Sequence, residues 1–407
     1  MPKENKRTTP AQEAVILSAA RTPIGKFQGS LSSVPATQLG AIAVKAAVER
    51  AGINPEEIEE VIMGNVVQAG EGQAPARQSG ILSGIPATVS ASTVNKVCGS
   101  GLKAAMFASQ AVRAGDADLF VAGGFESMSR APYLVSGRSG ELKFGNQPLT
   151  DALLYDGLWD PFENWGMGNA AEFIADEYEV TREAMDQFAL RSHQRAVEAQ
   201  EAGRFQAEIV PVPIPGRKGE VAMVERDEGP RKDTSLEVLA KLKPAFKADG
   251  KVTPGNSSPM NDGGAAVVIS SADYAEKNHL KPMAKVVGYA QAAVEPKYLF
   301  AAPAYAIPKL LKKIGWTLED VDLIELNEAF AAQVLADGYA LAEQGWDWNK
   351  VNVNGGAIAL GHPLGASGAR LLTTLLYALK DRSLQRGIAS LCLGGGEAVA
   401  MAVELEE

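Results

Sequence analysis

Two stretches of the sequence repeat one pattern, Gly52-Ile53-Asn54-Pro55-Glu56-Glu57-Ile58-Glu59 and Gly315-Trp316-Thr317-Leu318-Glu319-Asp320-Val321-Asp322. Each stretch follows a segment with helical spacing and begins with glycine, the residue that most often ends a helix in the left-handed conformation. Each then passes through an acidic turn into an apolar run that is typical of a buried strand. The repeated helix–turn–strand unit suggests that the chain is built from two similar halves.

Two further pairs of motifs recur in the same order. Gly99-Ser100-Gly101 and Ala366-Ser367-Gly368 each precede a helical pattern, and Gly123-Gly124-Phe125-Glu126 resembles Gly395-Gly396-Glu397. Several matches in the same order indicate an internal duplication. Similar halves would pack about a pseudo-twofold axis, so that their matching loops meet in one cleft.

Strand and helix patterns alternate in both halves, which predicts a layered α/β fold. The segment Ser129–Gly255 differs, because polar loops there surround an amphipathic helix predicted at Thr181–Ala202. We interpret this segment as an α-rich insertion that covers the cleft. The run Ala265–Ser270 resumes the strand pattern and is predicted to complete the sheet of the first half. The strands predicted elsewhere are Ala14–Ser18, Ile58–Met63, Leu119–Ala122 and Val321–Leu326, and the helices are Thr37–Ala51 and Gly101–Arg113.

The composition excludes several classes of protein. The formal net charge of -10 argues against a nucleic-acid binder with a basic face. No apolar run approaches the roughly 20 residues of a membrane span, and the polar segment Met1–Gln12 does not resemble a secretory signal. Two cysteines favour reduced thiols in the cytosol, with one structural disulfide as the alternative. Metal-binding spacings such as Cys-x-x-Cys are absent from the sequence, so no metal is expected.

Cys98 lies at a predicted strand-to-helix junction, in Asn95-Lys96-Val97-Cys98-Gly99-Ser100-Gly101. Unpaired backbone N–H groups and the helix macrodipole would lower the pKa of a thiol there and make it a nucleophile. The flanking glycines would let a substrate carbonyl approach the backbone. The alternative is a small buried cysteine with a packing role.

His362 is the imidazole best placed to assist this thiol. It lies in Gly361-His362-Pro363-Leu364-Gly365, on a tight loop just before a helix. His193, on the amphipathic helix, and His279, in Lys277-Asn278-His279-Leu280-Lys281, are predicted to lie at the surface. A histidine buried in the core remains the alternative for His362.

A second thiol, Cys392, ends an apolar strand and precedes Gly394-Gly395-Gly396. One thiol can carry an acyl group while a second moves a proton, and exposed N–H groups of a glycine run can bind a developing oxyanion. A buried cysteine at a strand end is the alternative. Asn327, directly after the strand Val321–Leu326, is by itself typical of an asparagine that begins a helix.

Together these motifs resemble the thiolase family, the acetyl-CoA acetyltransferases and 3-ketoacyl-CoA thiolases, over nearly the full chain. The resemblance implies an α/β thiolase fold with two similar halves, mixed five-stranded sheets, an αβαβα layered arrangement and an inserted loop domain. The predicted division is residues 1–128 with 259–283, then the loop domain 129–258, then residues 284–407. The runs that carry the resemblance are Asn95–Gly101, Gly123–Ser129, Gly255–Ser258, Asn261–Gly263, Asn327–Phe330, Asn352–Gly368 and Cys392–Gly396.

The resemblance also implies catalytic roles for five residues. Cys98 would be acylated, and His362 would be the base that activates it. Cys392 would take the α-proton of acetyl-CoA in condensation, or protonate the departing carbanion in thiolysis. His362 and a water held by Asn327 would bind one thioester oxygen, and the N–H groups of Cys98 and Gly394 would bind the other.

Coenzyme A and acetyl-CoA are implied as substrates, with no permanently bound cofactor. Coenzyme A would lie on the loop domain, with Ser258 and Met167 near the pantetheine, Arg231 near the adenine end, and Phe330 as a further contact. The resemblance also implies a cytoplasmic homodimer or homotetramer that acts in fatty acid metabolism, without nucleic-acid or membrane partners.

Four positions depart from the pattern of many biosynthetic members. Gly166 stands where a histidine is frequent, Ala170 replaces a threonine, Pro259 replaces a glycine, and Glu397 replaces an uncharged residue. These departures bear on the acyl length and the pantetheine contacts, and no proposed catalytic group is lost. The alternatives are a ketosynthase-like or hydroxymethylglutaryl-CoA-synthase-like condensing enzyme, a non-catalytic thiolase-like lipid or CoA-binding protein, and a dithiol redox protein. The glycine setting of Cys392 favours a thiolase.

Overall fold

The computed structural model of the chain describes residues 12–135, 137, 145–216 and 220–406. The features predicted for residues 1–11, and for the parts of the inserted segment at 136, 138–144 and 217–219, lie outside these residues. The helices are α1 (Ala36–Ala51), α2 (Pro75–Leu82), α3 (Ser100–Ala114), α4 (Met167–Glu177), α5 (Arg182–Glu201), α6 (Leu236–Ala240), α7 (Ala272–Lys277), α8 (Pro303–Ile314), α9 (Ala331–Ala340), α10 (Ala357–Leu360) and α11 (Leu364–Asp381).

Among the described residues, the strands form one large sheet and three small hairpins. They are β1 (Ala14–Arg21), β2 (Gly25–Lys26), β3 (Glu60–Gly64), β4 (Ser90–Val94), β5 (Leu119–Ser127), β6 (Tyr133–Leu134), β7 (Thr150–Asp151), β8 (Trp159–Asp160), β9 (Trp165–Gly166), β10 (Val212–Pro215), β11 (Val221–Val224), β12 (Asn261–Ser271), β13 (Ala284–Ala293), β14 (Leu323–Leu326), β15 (Arg386–Leu393) and β16 (Glu397–Leu405). Within the described residues, no helix has the length and hydrophobicity that crossing a membrane requires.

The strand order of the large sheet confirms the duplication. It runs β14-β15-β16-β13-β1-β12-β5-β3-β4, with β2 paired to β12. The order is symmetric about the central β13–β1 pair. In the first half, β12 is antiparallel to both β1 and β5, and β3 is parallel to β5. In the second half, β16 is antiparallel to both β13 and β15, and β14 is parallel to β15. Val351 makes a parallel bridge to Ile324 of β14, at the position that β4 occupies beside β3. The short β1–β13 pairing, Val15 with Lys285 and Ile16 with Ala284, joins the two expected sheets into one.

The helices complete the layers. Helix α1 packs on β1, β5 and β12 of the first half, and α8 packs on β13, β15 and β16 of the second. Helices α3 and α11 pack against each other and contact strands of both halves, so they form the middle layer. Their approach depends on glycine, because a Cβ on Gly101 would lie 2.8 Å from Gly365 O and one on Gly368 would lie 2.4 Å from Leu102 N. The apolar side chains of the strands and of the facing helices are buried between the layers. Burial of each large side chain stabilises the fold by about 1.5–3 kcal/mol.

The local predictions hold to within a few residues for most elements. The predicted strand at 265–270 extends to Asn261–Ser271 and pairs with β1 and β5, so it completes the first half as expected. The amphipathic helix occupies Arg182–Glu201 and is capped by Thr181, whose Oγ1 accepts the Ala184 N–H at 3.1 Å. Strand β5 is longer than predicted, because Gly123 and Gly124 continue it to Ser127.

One predicted correspondence between the halves is wrong. Gly123 and Gly124 lie inside β5, whereas Gly395 and Gly396 form the turn between β15 and β16, with φ of 87° and 85°. Glu126 therefore does not correspond to Glu397. The two glycine pairs are similar in sequence but meet different backbone requirements, one inside a strand and the other in a left-handed turn.

The strand register gives the correct correspondence. Parallel pairing places Gly64 of β3 beside Gly124 of β5, and Leu326 of β14 beside Ser390 of β15. Asn65 and Asn327 directly follow Gly64 and Leu326 in their respective halves. Gly124 and Ser390 are therefore equivalent positions. Glu126 lies two residues after Gly124 and Cys392 lies two residues after Ser390, so Cys392 is the counterpart of Glu126.

A buried ion cluster attaches the inserted segment to the first half. Arg21, at the end of β1, is fully buried, and its guanidinium contacts Glu208 at 2.7 Å and Asp227 at 2.7 Å. Removing one partner of such a buried cluster typically costs about 3–5 kcal/mol, because the remaining charge is left unpaired. This attachment helps to hold the inserted segment over the loops that follow the strands.

Candidate active site

One cavity of about 630 Å³ collects the reactive groups that the sequence predicted. Its walls include Cys98, His362, Cys392 and Gly394. These residues come from both halves: Cys98 lies two residues before α3, and His362 lies two residues before the equivalent helix α11. The packing of α3 on α11 therefore brings the thiol and the imidazole together.

A tight turn presents Cys98 to the cavity. Ser100 Oγ accepts the Lys96 N–H at 2.8 Å and donates to Val97 O at 2.6 Å, which closes the loop before α3. Val97 adopts φ of 45°, an unfavourable region for a β-branched residue. The surrounding hydrogen bonds hold this strained residue directly beside the thiol.

Cys98 is a neutral thiol at rest, and the prediction of a lowered pKa is wrong. Burial raises the pKa of Cys98 to about 12. The N–H groups of Cys98 itself and of Gly394 lower this pKa, as the helix-start argument predicts, while Glu126 raises it. Removal from water outweighs the local donors, and this effect depends on the surroundings that the fold supplies.

His362 is a neutral imidazole with a defined tautomer. Its Nδ1 lies 2.6 Å from Ser367 Oγ, and Ser367 donates its own hydroxyl hydrogen to Pro363 O at 2.8 Å. Nδ1 must therefore carry the ring hydrogen and donate it to Ser367, which leaves Nε2 as the acceptor. Burial, together with the charge of Arg370, lowers the pKa of His362 to about 3. The ring is thus unprotonated and able to accept a proton at Nε2.

Asn327 lies against the free side of this ring. Its Nδ2 is 3.4 Å from His362 Nε2. Its Oδ1 is buried and finds no hydrogen-bond partner within the part of the chain that the structure describes. Buried polar atoms of this kind commonly bind a water molecule.

Cys392 ends β15 as expected, and its side chain is buried. Burial raises its pKa well above the usual value, and the neighbouring Cys98 and Asp337 add to the effect. The left-handed Gly395 and Gly396 turn the chain back into β16 just beyond Gly394. A hydrogen bond from the Gly394 N–H lowers the pKa of the Cys98 thiol, so this donor lies near the sulfur.

The residues predicted to bind coenzyme A also line the cavity. They are Ser258, Met167, Arg231 and Phe330. Of the four departures from the family pattern, Gly166 and Pro259 line the cavity as well. Ala170 is buried in the core instead, and Glu397 forms an ion pair with Lys96.

His193 is buried, so the prediction of a surface position is wrong. It lines the cavity beside Arg231, and its Nδ1 accepts the Arg231 N–H at 3.3 Å. Burial and the Arg231 charge lower its pKa to about 4. The missed signal is its spacing, because His193 lies on the same helix face as Ala189 and Ala196, both buried. His279 is exposed, as predicted.

Two supporting residues were not assigned a role from the sequence. Ser367 orients the imidazole, and its position five residues after His362 in the same glycine-rich run was an available signal. Glu126 lies in the motif Gly123-Gly124-Phe125-Glu126, but its hydrogen-bond partners lie 59 to 239 residues away, and no sequence signal connects it to them.

The two-halved fold, with a thiol, an imidazole and a second thiol in one cleft, is typical of an acyl-transferring enzyme. Residues 14–273 match the N-terminal domain of thiolases, and residues 280–405 match the C-terminal domain. The chain therefore belongs to the thiolase family, and the predicted family and fold are confirmed.

Individual relatives are similar over nearly the whole chain. An acetyl-CoA acetyltransferase of Cupriavidus necator is 52% identical over 392 residues, which cover 96% of this chain and 99% of that protein. One from Pseudomonas aeruginosa is 51% identical over 390 residues, covering 96% and 98%. The crystal structure of the Bacillus anthracis acetyl-CoA acetyltransferase gives a TM-score of 0.94 at 42% identity, and the match covers 98% of this chain and all of that one.

Proposed function

We propose that this thiolase transfers acyl groups between coenzyme A thioesters through an acyl-Cys98 intermediate. The observation that carries the proposal is the single cavity shared by Cys98, His362 and Cys392. The relatives named acetyl-CoA acetyltransferase make acetyl-CoA and acetoacetyl-CoA the proposed substrates, with no permanently bound cofactor.

In the acylation step, Cys98 Sγ attacks the thioester carbonyl while its proton passes to His362 Nε2. The carbon–sulfur bond to coenzyme A then breaks, and the departing thiolate takes the proton from the imidazolium. Both groups are neutral at rest, so charge develops only as the thiol attacks. The N–H groups of Cys98 and Gly394 bind the developing oxyanion, and loss of one such donor typically costs about 2.7–4 kcal/mol of barrier.

In the condensation step, the neutral Cys392 thiol first gives its proton to His362. The resulting thiolate takes the α-proton of a second acetyl-CoA, and the enolate carbon attacks the acyl carbon. The new carbon–carbon bond expels the Cys98 thiolate, which recovers the proton from His362. A water on the buried Asn327 Oδ1 would bind the enolate oxygen together with His362. Thiolysis follows the same steps in reverse, with the Cys392 thiol protonating the carbanion.

The proposed division into domains assigns coenzyme A binding to the loop domain, residues 129–258. Residues 1–128 with 259–283, and residues 284–407, would form the two catalytic halves. In support, the loop domain lines the cavity with Met167, Arg231 and Ser258. Arg231 supplies a positive charge for the phosphates at the adenine end, and Phe330 of the second half would pack on the pantetheine.

The test is a thiolysis assay with acetoacetyl-CoA and free coenzyme A, followed by mass analysis of the trapped acyl-enzyme. We expect consumption of acetoacetyl-CoA and an acetyl group on Cys98. A Cys98→Ser variant should lose both, whereas a Cys392→Ser variant should still become acetylated by acetyl-CoA. Absence of thiolysis by the parent protein, or normal turnover by Cys98→Ser, would overturn the proposal.

We further propose a cytoplasmic homodimer or homotetramer that acts in fatty acid metabolism. Strand β4 is the last strand of the large sheet, and the neighbouring helix α2 exposes Ile81 and Leu82, which suits pairing with a second copy. Two free catalytic thiols suit a reducing compartment. Light scattering of the parent and of an Ile81→Asp variant tests the assembly, and a monomeric parent would refute it.

A further inference from the structure

The carboxylate of Glu126 is fully buried behind the cavity and accepts four hydrogen bonds. Its Oε2 accepts from the N–H of Gly365 at 2.9 Å and of Val66 at 3.1 Å. Its Oε1 accepts from Asn65 Nδ2 at 3.1 Å and from the Val67 N–H at 3.2 Å. All four partners donate, so among the described residues they favour the ionised carboxylate, whereas burial acts the other way and raises the pKa of Glu126 to about 7. The carboxylate is therefore ionised at the alkaline pH at which the Cys98 thiol titrates.

These bonds join two segments that are far apart in sequence. Gly365 lies in the first turn of α11, three residues after His362, whereas Val66 and Val67 lie in the loop after β3. The backbones are in close contact here, because a Cβ on Gly124 would lie 1.9 Å from Gly365 O. A negative charge at the start of α11 is also favoured by the helix macrodipole. Glu126 is thus bonded to the start of the helix that begins two residues after His362.

The duplication gives this residue a context. Asn65 and Asn327 follow equivalent strands, and Glu126 is the counterpart of Cys392 by register. In the second half, the amide faces the imidazole and the counterpart position holds a thiol in the cavity. In the first half, the amide donates to a carboxylate that does not line the cavity and that accepts the Gly365 N–H of α11. The second half thus places Asn327 and Cys392 at the site, whereas the first half uses the equivalent Asn65 and Glu126 to bind the backbone next to it.

We propose that Glu126 is a positioning residue for acyl transfer, because its carboxylate holds the start of α11 so that His362 stays opposite Cys98. The proposal rests on the proposed function. It adds a residue outside the cavity whose charge and hydrogen bonds both act on the reacting pair.

The charge of Glu126 has its own measurable effect, which a packing role would not produce. The ionisable groups that face it are Cys98, Glu71, which is linked through Asn65, and Asp262 on the neighbouring strand β12. Glu126 raises the pKa of Cys98. Removing its charge should therefore make the thiol easier to ionise, even as the loss of its hydrogen bonds displaces the imidazole.

The central variant is Glu126→Gln, in which one oxygen becomes an NH₂ group that cannot accept from the N–H donors on its side. We expect acylation of Cys98 by acetyl-CoA to slow by about tenfold or more, the effect of losing a buried hydrogen bond to a charged group. We expect the rate–pH profile for alkylation of Cys98 by iodoacetamide to move to lower pH. The two reactions of one thiol should thus change in opposite directions above about pH 8, where Glu126 of the parent is ionised. Loosening of the fold would also expose the thiol and promote its alkylation, so the urea midpoint must show that the variant is folded, and a variant that keeps the charge is needed beside it.

Two further variants separate charge from geometry. Glu126→Asp keeps the charge but shortens the side chain, so acylation should slow while the alkylation profile stays near that of the parent. Glu71→Gln, a matched change that leaves the Gly365 bond intact, should acylate within about twofold of the parent. If Glu126→Gln does not fold, Glu126→Asp decides the question through its acylation rate.

Parent-like acylation in Glu126→Gln or Glu126→Asp would overturn the inference, and so would an unshifted alkylation profile in Glu126→Gln. Alkylation requires no thioester, so the arms of the experiment are independent. A parent protein that acetyl-CoA fails to acylate contradicts the proposed function, whereas the alkylation profiles report on Glu126 in either case.

Discussion

Replacing Ser367 with alanine tests how the imidazole is prepared for catalysis. Ser367 Oγ accepts a hydrogen bond from the Nδ1–H of His362 at 2.6 Å and donates one to Pro363 O at 2.8 Å. This arrangement leaves Nε2 as the acceptor of the ring, the atom that takes the Cys98 proton in the proposed mechanism. In Ser367→Ala the Nδ1–H loses its acceptor inside a fully buried region.

The magnitude follows from the two states open to the variant. If the ring keeps its tautomer, an unsatisfied buried N–H costs about 1–3 kcal/mol. If the hydrogen moves to Nε2, the penalty is relieved, but the ring can no longer accept the thiol proton. Since about 1.4 kcal/mol corresponds to a factor of ten, acylation of Cys98 should slow by about 5- to 150-fold. Binding of the thioester should change little, because Ser367 does not line the cavity.

The assay is rapid quenching of acetyl-CoA with excess enzyme, with the acetylated Cys98 fragment quantified by mass spectrometry. Ser109→Ala is a matched control, because Ser109 is a buried serine on the equivalent helix α3 that donates to Ala105 O at 2.8 Å. It should acylate like the parent. Acylation of Ser367→Ala at the parent rate, or an equal loss in Ser109→Ala, would refute the reasoning.

Three further outcomes are expected. Cys392→Ala should acetylate Cys98 in a burst and form no acetoacetyl-CoA; condensation at the parent rate, followed by absorbance, would remove Cys392 from the mechanism. Burial lowers the pKa of His362 from 6.5 to about 3, so the folded parent binds fewer protons than the unfolded chain between those values. As the pH drops below 6.5, the unfolding free energy of the parent should therefore fall more steeply than that of His362→Gln, by about 1.4 kcal/mol per pH unit. Urea titrations at several pH values measure this free energy, and an equal dependence on pH in the two proteins would contradict the expectation. Gly368→Ala places a Cβ 2.4 Å from a backbone nitrogen of α3 and should cost about 1–3 kcal/mol of stability, whereas Gly80→Ala meets nothing closer than 3.5 Å and serves as the control; equal midpoints in urea would count against the packing argument.

The parts of the molecule that depend on neighbouring residues in sequence were predictable. Gly52 and Gly315 end α1 and α8 in the left-handed conformation, as their positions in the repeated pattern indicated. The placement of Cys98 and His362 before helices was equally local, since glycine and proline mark these turns. The packing of the two halves then brought both residues into one cavity, as the duplication implied.

What depends on contacts between distant segments was not predictable. The acidity of Cys98 is set by burial and by Glu126, neither of which its neighbours in sequence reveal. His193 is covered by the segment at Arg231, 38 residues further along the chain. The glycine pair before Glu397 resembled the pair before Glu126, and only the strand register showed that Cys392 is the true counterpart.

The close contact of α3 and α11 has a consequence for how tolerant this enzyme is of sequence change. At Gly101 and Gly368 the backbone of each helix approaches the backbone of the other, too closely for a Cβ at either glycine. Substitutions in the outer layers, or altered rotamers in the interior, leave this spacing untouched, because it is a distance of closest approach between main chains. Core substitutions elsewhere in this chain should therefore leave the separation of sulfur and imidazole unchanged, provided that these two positions stay glycine.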